Sequence, residues 1–264
     1  MLALLLAGGM CASCDSVFDV HPYDVNVHGD KAVNASNMEQ IERNTHGKDT
    51  IRFAFISDSH QWLDDLDDEI RSINEHDSID FVVHGGDLTD FGATKEFEWT
   101  RDYLKRLKVP FVCVLGNHDC LGTGTQTYQV VFGPTNFSFI AGRVKFVCLN
   151  TNAIEYDYSE PVPDFDFMEA QVAERASEYD HTVCCMHAKP NTEQFNNNVS
   201  KVFNYYVSKF PDVLFCLNGH GHHNYQEDIF GNGIVYYEVG AAKFRKYYIF
   251  TITPKGYQYE VVDF

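Results

Sequence analysis

Short apolar runs recur along this chain, and most of them end in a cluster of Asp, His, Asn and Gly. Residues 51–56 run into Asp58-Ser59-His60, and residues 80–83 run into His84-Gly85-Gly86-Asp87. Residues 110–115 end at Gly116-Asn117-His118-Asp119, residues 182–186 at His187, and residues 213–217 at Asn218-Gly219-His220-Gly221-His222. Segments of helical spacing lie between them at 63–74, 94–107, 167–178 and 201–210, with Phe97, Trp99, Tyr103 and Leu104 as candidates for the buried face of the second. A strand that is apolar throughout, rather than alternating, is buried on both faces. Joined by helices, such strands run parallel. Residues 137–140 and 144–149 read as a pair across Gly142, and the closing strands at 234–239, 246–253 and 257–262 include a hairpin at Pro254-Lys255-Gly256. The expectation is one α/β domain over residues 51–264, with central sheets and flanking helices.

Ligands gather at the carboxyl ends of strands in open α/β sheets. Five strand ends meeting at one edge would bring together Asp58, His60, Asp87, Asn117, His118, Asp119, His187, His220 and His222. All offer N or O donors, and no Cys is among them. Imidazole with carboxylate suits Mn, Fe, Co or Zn better than Mg. The donors are too many for one ordinary site, and a carboxylate shared by two divalent transition-metal ions accounts for the excess. Two such ions would lower the pKa of a shared water enough to make it a nucleophile near neutral pH. Taken singly these motifs are weak, since Gly-Asp is commonly a turn. The order carries the reading, with the first three clusters at roughly 30-residue intervals, a βα repeat length. His84 reads as a packed strand-end residue, and His223 has no assigned role. The loops at 120–128 and 188–198 follow His118 and His187 and flank the expected substrate position, with 153–166 as a third candidate.

In this order the motifs resemble the series D-x-H, G-D, G-N-H-[DE], H and G-H-x-H of the calcineurin-like metallophosphoesterase family, over about residues 51–240. The resemblance implies a phosphoric ester hydrolase on a four-layer α/β/β/α sandwich with mixed sheets. It implies that Asp58, His60, Asp87 and His222 hold one ion and that Asp87, Asn117, His187 and His220 hold the other, with Asp87 as the bridge. It places His118 outside the ligand set, facing the leaving group, with Asp119 orienting it. Purple acid phosphatases carry Tyr three residues after the bridging Asp, where this chain has Asp90. Serine/threonine protein phosphatases carry Asp-Arg-Gly where it has Asp90-Phe91-Gly92. Lipid A pathway pyrophosphatases have Arg in place of His118. What remains looks most like small bacterial phosphodiesterases of the cyclic-nucleotide type, or a phosphomonoesterase. A catalytically silent scaffold of the same fold would lack a ligand or the catalytic His, and here every motif is present. A nuclease is disfavoured by the formal net charge of −18 and by the lack of a Lys/Arg cluster near the motifs. The expected partner is a small phosphoester rather than nucleic acid.

Residues 1–14 read as a signal segment of lipoprotein type. The apolar stretch 2–7 is too short for a membrane span. Cys14 follows Ala12-Ser13, precedes Asp15 and is the expected acylated residue, with Cys11 as the alternative. Residues 15–50 then read as a tether and lead-in, with an edge strand, that holds the domain at a membrane surface of the cell envelope. The free core cysteines favour the cytoplasmic alternative.

Overall fold

A computed structural model describes residues 21–264, so the expectations for residues 1–14, lipidation of Cys14 included, lie outside the described residues. In chain order the elements are α1 (Val33–Thr45), β1 (Ile51–Ile56), α2 (Leu63–Glu75), β2 (Phe81–His84), α3 (Thr94–Leu104), β3 (Phe111–Cys113), α4 (Gly124–Val131), β4 (Phe137–Ala141) and β5 (Val144–Leu149). They continue with α5 (Phe165–Ala173), β6 (His181–Met186), α6 (Ser200–Val207), β7 (Val213–Asn218), β8 (Tyr225–Glu227), β9 (Val235–Glu238), β10 (Lys246–Thr253) and β11 (Gly256–Asp263).

The continuous apolar runs have the cause expected of them. Along β1, Phe53 and Phe55 belong to the core between the sheets, while Ala54 and Ile56 face the covering helices. From Phe53 to Ile56 both faces are buried, and every side chain there is apolar. One sheet is ordered β11-β10-β1-β2-β3 and the other β4-β5-β6-β7-β9-β8. Each is mixed: β1-β2-β3 and β5-β6-β7-β9 are parallel, whereas β10 joins β1 antiparallel and β10–β11 is the expected hairpin. Phe53 stacks on Phe81 at 5.1 Å and meets the edge of Phe146 at 5.2 Å, so aromatic contacts lock one sheet on the other. Side chains of α2, α3 and α4 cover the outer face of the first sheet, and those of α5 and α6 the outer face of the second. The result is the expected α/β/β/α layering. Cys113, Cys148, Cys184, Cys185 and Cys216 are buried free thiols that pack as small apolar residues.

Helix α2 buries Leu66, Ile70 and Ile73, one stripe at helical spacing. In α3, Phe97 and Leu104 are buried, but Trp99 is 52% exposed, contrary to the sequence reading. Two residues on from Phe97, it lies across the helix from the buried stripe.

The larger correction concerns the lead-in. From residue 21 onward the segment read as a tether packs on the domain, and in place of an edge strand it forms α1. Ile41 is fully buried in the core between the sheets, and Val27 and Val33 pack with the α2–α4 layer. The polar residues that made the stretch look solvated bind the exposed edges of both sheets. Asn34 Nδ2 donates to the Cys113 carbonyl and Asn34 Oδ1 accepts from the Cys113 N–H, both at 2.9 Å. Asn37 Nδ2 donates to the Phe111 carbonyl at 2.7 Å. On the other sheet, Glu42 accepts from the Ile140 N–H at 2.9 Å and the Thr45 hydroxyl accepts from the Gly142 N–H at 3.0 Å. Helix α1 thus closes the open side of the sandwich between edge strands β3 and β4.

Asn34→Ala leaves the buried Cys113 N–H without a partner, while the Cys113 carbonyl keeps the Tyr128 hydroxyl at 2.6 Å. The expected loss of stability is about 1–3 kcal/mol, the cost of one orphaned buried donor. It is measured by urea unfolding, and a change near zero would show that α1 does not hold the β3 edge.

Candidate metal centre

The parallel strands β1, β2, β3, β6 and β7 deliver their carboxyl ends to one edge of the sandwich. Asp58 and His60 follow β1, Asp87 follows β2, Asn117 and His118 follow β3, His187 follows β6, and His220 and His222 follow β7. The chain turns sharply at these points. Asp58, His60, Asp87, His220 and His222 all adopt left-handed backbone, with φ of 54°, 44°, 54°, 75° and 57°. Such a conformation is costly for residues with a Cβ, and strain of this kind gathers where side chains must be aimed at a site. Two glycines make room. A Cβ on Gly116 would meet the Asp87 backbone nitrogen and carboxylate, and one on Gly219 would meet the side chains of Ser57 and Asp58.

The structure brings the sequence-derived ligands together in two groups. Asp58, His60, Asp87 and His222 place donor atoms within 4.8 Å of one another, and so do Asp87, His187 and His220. Asp87 is common to both. Its Oδ2 lies 3.5 Å from His60 Nε2 and 3.2 Å from His187 Nε2. Asn117 joins the second group through Oδ1, 3.0 Å from His187 Nε2 and 3.1 Å from His220 Nδ1.

Contacts on the far ring nitrogens fix which nitrogen faces inward. His187 Nδ1 donates to the Gly85 carbonyl at 2.9 Å, leaving Nε2 toward Asp87. His220 Nε2 meets Glu193 Oε1 at 2.8 Å, leaving Nδ1 toward Asn117. His60 Nδ1 lies 3.3 Å from Asp90 Oδ1, within ion-pairing distance but without a hydrogen bond, while its Nε2 is on the Asp87 side. Backing of this kind sets tautomer and ring orientation at metal sites. Sequence reasoning missed Glu193 as a contact and noticed Asp90 only for not being Tyr. Nothing local marks either residue, because each reaches its imidazole only through the fold.

The donor set fits a pair of cations. Asp58 Oδ1 is fully buried and lacks a hydrogen-bond partner, although His222 Nε2 is 3.1 Å away. His60 Nε2 and His222 Nε2 face each other at 3.3 Å, where a single proton could serve only one of them as donor. Cation binding would satisfy these atoms together.

His118 stands apart from the two ligand groups. Its ring lies edge-on to His60 at 4.7 Å, and its Nδ1 donates to the Asp90 carbonyl at 2.8 Å. The expectation that Asp119 orients His118 is corrected here. The fully buried Asp119 carboxylate accepts from the N–H groups of Gly116 and Thr89 at 2.9 Å, from the Thr89 hydroxyl at 2.9 Å and from the Leu88 N–H at 3.2 Å. It ties the turn after β2 to the turn after β3. The side chain that follows His118 in the motif is turned inward, and a backbone carbonyl takes its orienting place. His84 is buried as expected, and burial pushes its imidazole down to about 3 despite the Asp58 charge, so it packs neutral. The 188–198 and 153–166 loops join at the rim, where Ala153 N–H donates to the Gln194 carbonyl at 2.9 Å.

Without metal, the carboxylates hold protons in the cluster. Burial alone would depress His187, but the Asp87 charge and hydrogen bond outweigh it and hold the imidazole up at about 10. Its two nitrogens face the Gly85 carbonyl on one side and the Asn117 and Asp87 oxygens on the other, as an imidazolium requires. A metal ligand must be neutral, so loading should release this proton and apparent affinity should fall as pH is lowered below about 10. Calorimetric titration of metal-free protein with manganese, in buffers of different ionisation enthalpy, should give a buffer-dependent heat corresponding to about one proton or more. A heat independent of buffer would contradict a protonated His187.

The profile described as calcineurin-like phosphoesterase matches residues 51–224. An uncharacterized metallophosphoesterase, YkuE of Bacillus subtilis, is 33% identical over 100 residues, 35% of each chain. A 3′,5′-cyclic-nucleotide phosphodiesterase of Nostoc sp. is 22% identical over 156 residues, 56% of this chain and 58% of that one. The chain therefore spans 35% and 58% of the lengths of these two relatives. Among solved structures, a dimetal phosphatase from Danio rerio superposes with a TM-score of 0.60 at 12% identity, over 81% of this chain and 98% of that one. Purple acid phosphatase PPD1 of yellow lupin gives 0.56 at 14% identity, over 83% and 55%. These two likenesses concern the fold. The profile match spans every strand-end motif, and on that ground the chain belongs to the calcineurin-like metallophosphoesterase family.

Proposed function

We propose that this metallophosphoesterase hydrolyses small phosphoesters with two divalent transition-metal ions (Mn, Fe, Zn or Co) that share Asp87. The observation that carries the reading is the Asp87 carboxylate, set between His60 Nε2 and His187 Nε2 and common to both donor groups. Asp58, His60, Asp87 and His222 would hold one ion, and Asp87, Asn117, His187 and His220 the other. When bound there, such a pair would supply a nucleophilic hydroxide near neutral pH and positive charge for the phosphoryl oxygens. His118 supplies the proton. Its Nδ1–H is committed to the Asp90 carbonyl, so the proton given to the departing oxygen is a second one, carried on Nε2 of the imidazolium form, and the ring returns to the neutral Nδ1–H tautomer. Asp90 acts twice, its carbonyl orienting His118 and its carboxylate backing His60. Asp119 keeps the turns that carry Asp87 and His118 in register. Similarity to the Nostoc phosphodiesterase supports a cyclic-nucleotide type of diester as the finer reading.

Two variants separate the roles. Asp87→Ala should lose metal and activity together, because one side chain serves both ions. His118→Ala should keep its metal and lose rate by about 10²–10⁴-fold, the scale of one general acid. The loss should shrink for esters with good leaving groups. Metal analysis beside hydrolysis of a phosphoester panel reads both. A His118→Ala protein without metal would make His118 a ligand and overturn the assignment.

We also propose lipid attachment at Cys14, resting on the apolar 2–7 stretch, Ala12-Ser13 and Asp15. Among the described residues no helix is long and apolar enough to cross a membrane. Cys14→Ser, produced in the host of origin, should leave the membrane fraction with activity per molecule intact. An unmodified Met1–Cys14 peptide seen by mass spectrometry would refute the attachment.

A further inference from the structure

A protein of net charge −18 repels anionic substrates over most of its surface, so a cation at the mouth of the metal centre has unusual weight. Most of its cations are committed. Lys189 pairs with Glu238, Arg245 with Asp65 and Asp68, and Lys246 with Asp263. Lys243 is different. It is exposed and, among the described residues, has no carboxylate within ion-pairing distance. Its ammonium instead stands 3.9 Å from the centre of the Trp62 ring and 5.1 Å from that of Phe244.

This position adjoins the ligands. Trp62 is two residues beyond His60, and its ring packs against His60 at 5.0 Å and His222 at 5.9 Å. The turn that bears Lys243 is fastened to the centre, with the Ala242 N–H donating to the Asp58 carbonyl at 3.4 Å. Trp62 is half-buried but Lys243 is exposed, and an exposed cation over a ring is held weakly compared with a charge pair, while a lysine stem has the rotamers to leave it. In a chain so rich in carboxylates, an unpaired ammonium beside His60 and His222 is available to an incoming anion.

We propose that Lys243 is the substrate-anchoring cation of this centre, held over Trp62 and turned onto a phosphoryl oxygen of the bound ester. The inference rests on the phosphoester reading above. It gives the site a sensitivity to substrate charge. Coulomb energy scales with charge, so a phosphomonoester dianion gains twice what a diester monoanion gains from the same ammonium.

The test uses the full chain loaded with manganese and K243M, which keeps a stem on Trp62 and removes the charge. p-Nitrophenyl phosphate and bis(p-nitrophenyl) phosphate share a leaving group and differ in charge near pH 8. K243M should lower kcat/KM about tenfold for the dianion and about threefold for the monoanion, mainly through KM, because doubling the charge squares the factor. K243R should recover most of the loss, and metal content and Tm should not change. Inorganic phosphate, measured by calorimetry, should bind K243M about tenfold more weakly than wild type, and by a factor that shrinks in high salt. Equal phosphate affinity in the two proteins, or equal losses on both esters, would overturn the proposal. Wild-type protein that hydrolyses neither ester would refute the phosphoester reading instead, and phosphate affinity would still decide the role of Lys243.

Discussion

Asp58 and Asp87 are two almost fully buried carboxylates at the ends of adjacent parallel strands, close enough that the Asp87 charge opposes ionisation of Asp58. Buried like charges are among the costliest arrangements a fold can contain. Around them the chain places imidazoles from three other strand ends and the first β-turn. Burial works against the charged form of Asp87, yet His187, His60 and His118 hold its carboxyl well below the usual range. The site is thus an anionic hole lined with neutralising groups, and its donor clusters are those of a dimetal site. The left-handed backbone at five of these residues belongs to the same economy. It aims side chains that a relaxed turn would leave pointing elsewhere.

The rigidity this requires comes from the sandwich. Phe53, Phe81, Phe139 and Phe146 interlock between the sheets, which fixes the strand ends relative to one another. The Asp119 carboxylate then bolts the β2 turn to the β3 turn. Helix α1 does comparable work at the other side, where its polar side chains satisfy both edge strands while Ile41 enters the core. Capping β3 in this way holds the strand that leads into Asn117 and His118.

Much of this was legible in order and spacing. Motifs that follow apolar runs were placed correctly because a run apolar on both faces has only one way to be buried, and its end is then a strand end. What was misread shares a cause. Residues 33–45 carry Asn, Glu and Thr, which look solvated in sequence, but here they bond to backbone atoms of strands far along the chain. Trp99 looked like a core residue by type, yet its place on the helix decided its exposure. Asp119 looked like a partner of His118 by adjacency, yet its side chain points into the turn and contacts Leu88 and Thr89.

The sequence by itself determined the layered α/β class, the strand ends that carry chemistry and the donor types Asp, His and Asn. Those follow from local patterns of hydropathy and from the chemistry of side chains. Only the tertiary structure decided that Asp87 is shared, that Asp90 and Glu193 back the imidazoles, which ring nitrogens face inward and that Lys243 rests on Trp62. Each is a contact of a few ångströms between side chains on different elements, and the position of one element against another is set by packing that no local pattern encodes.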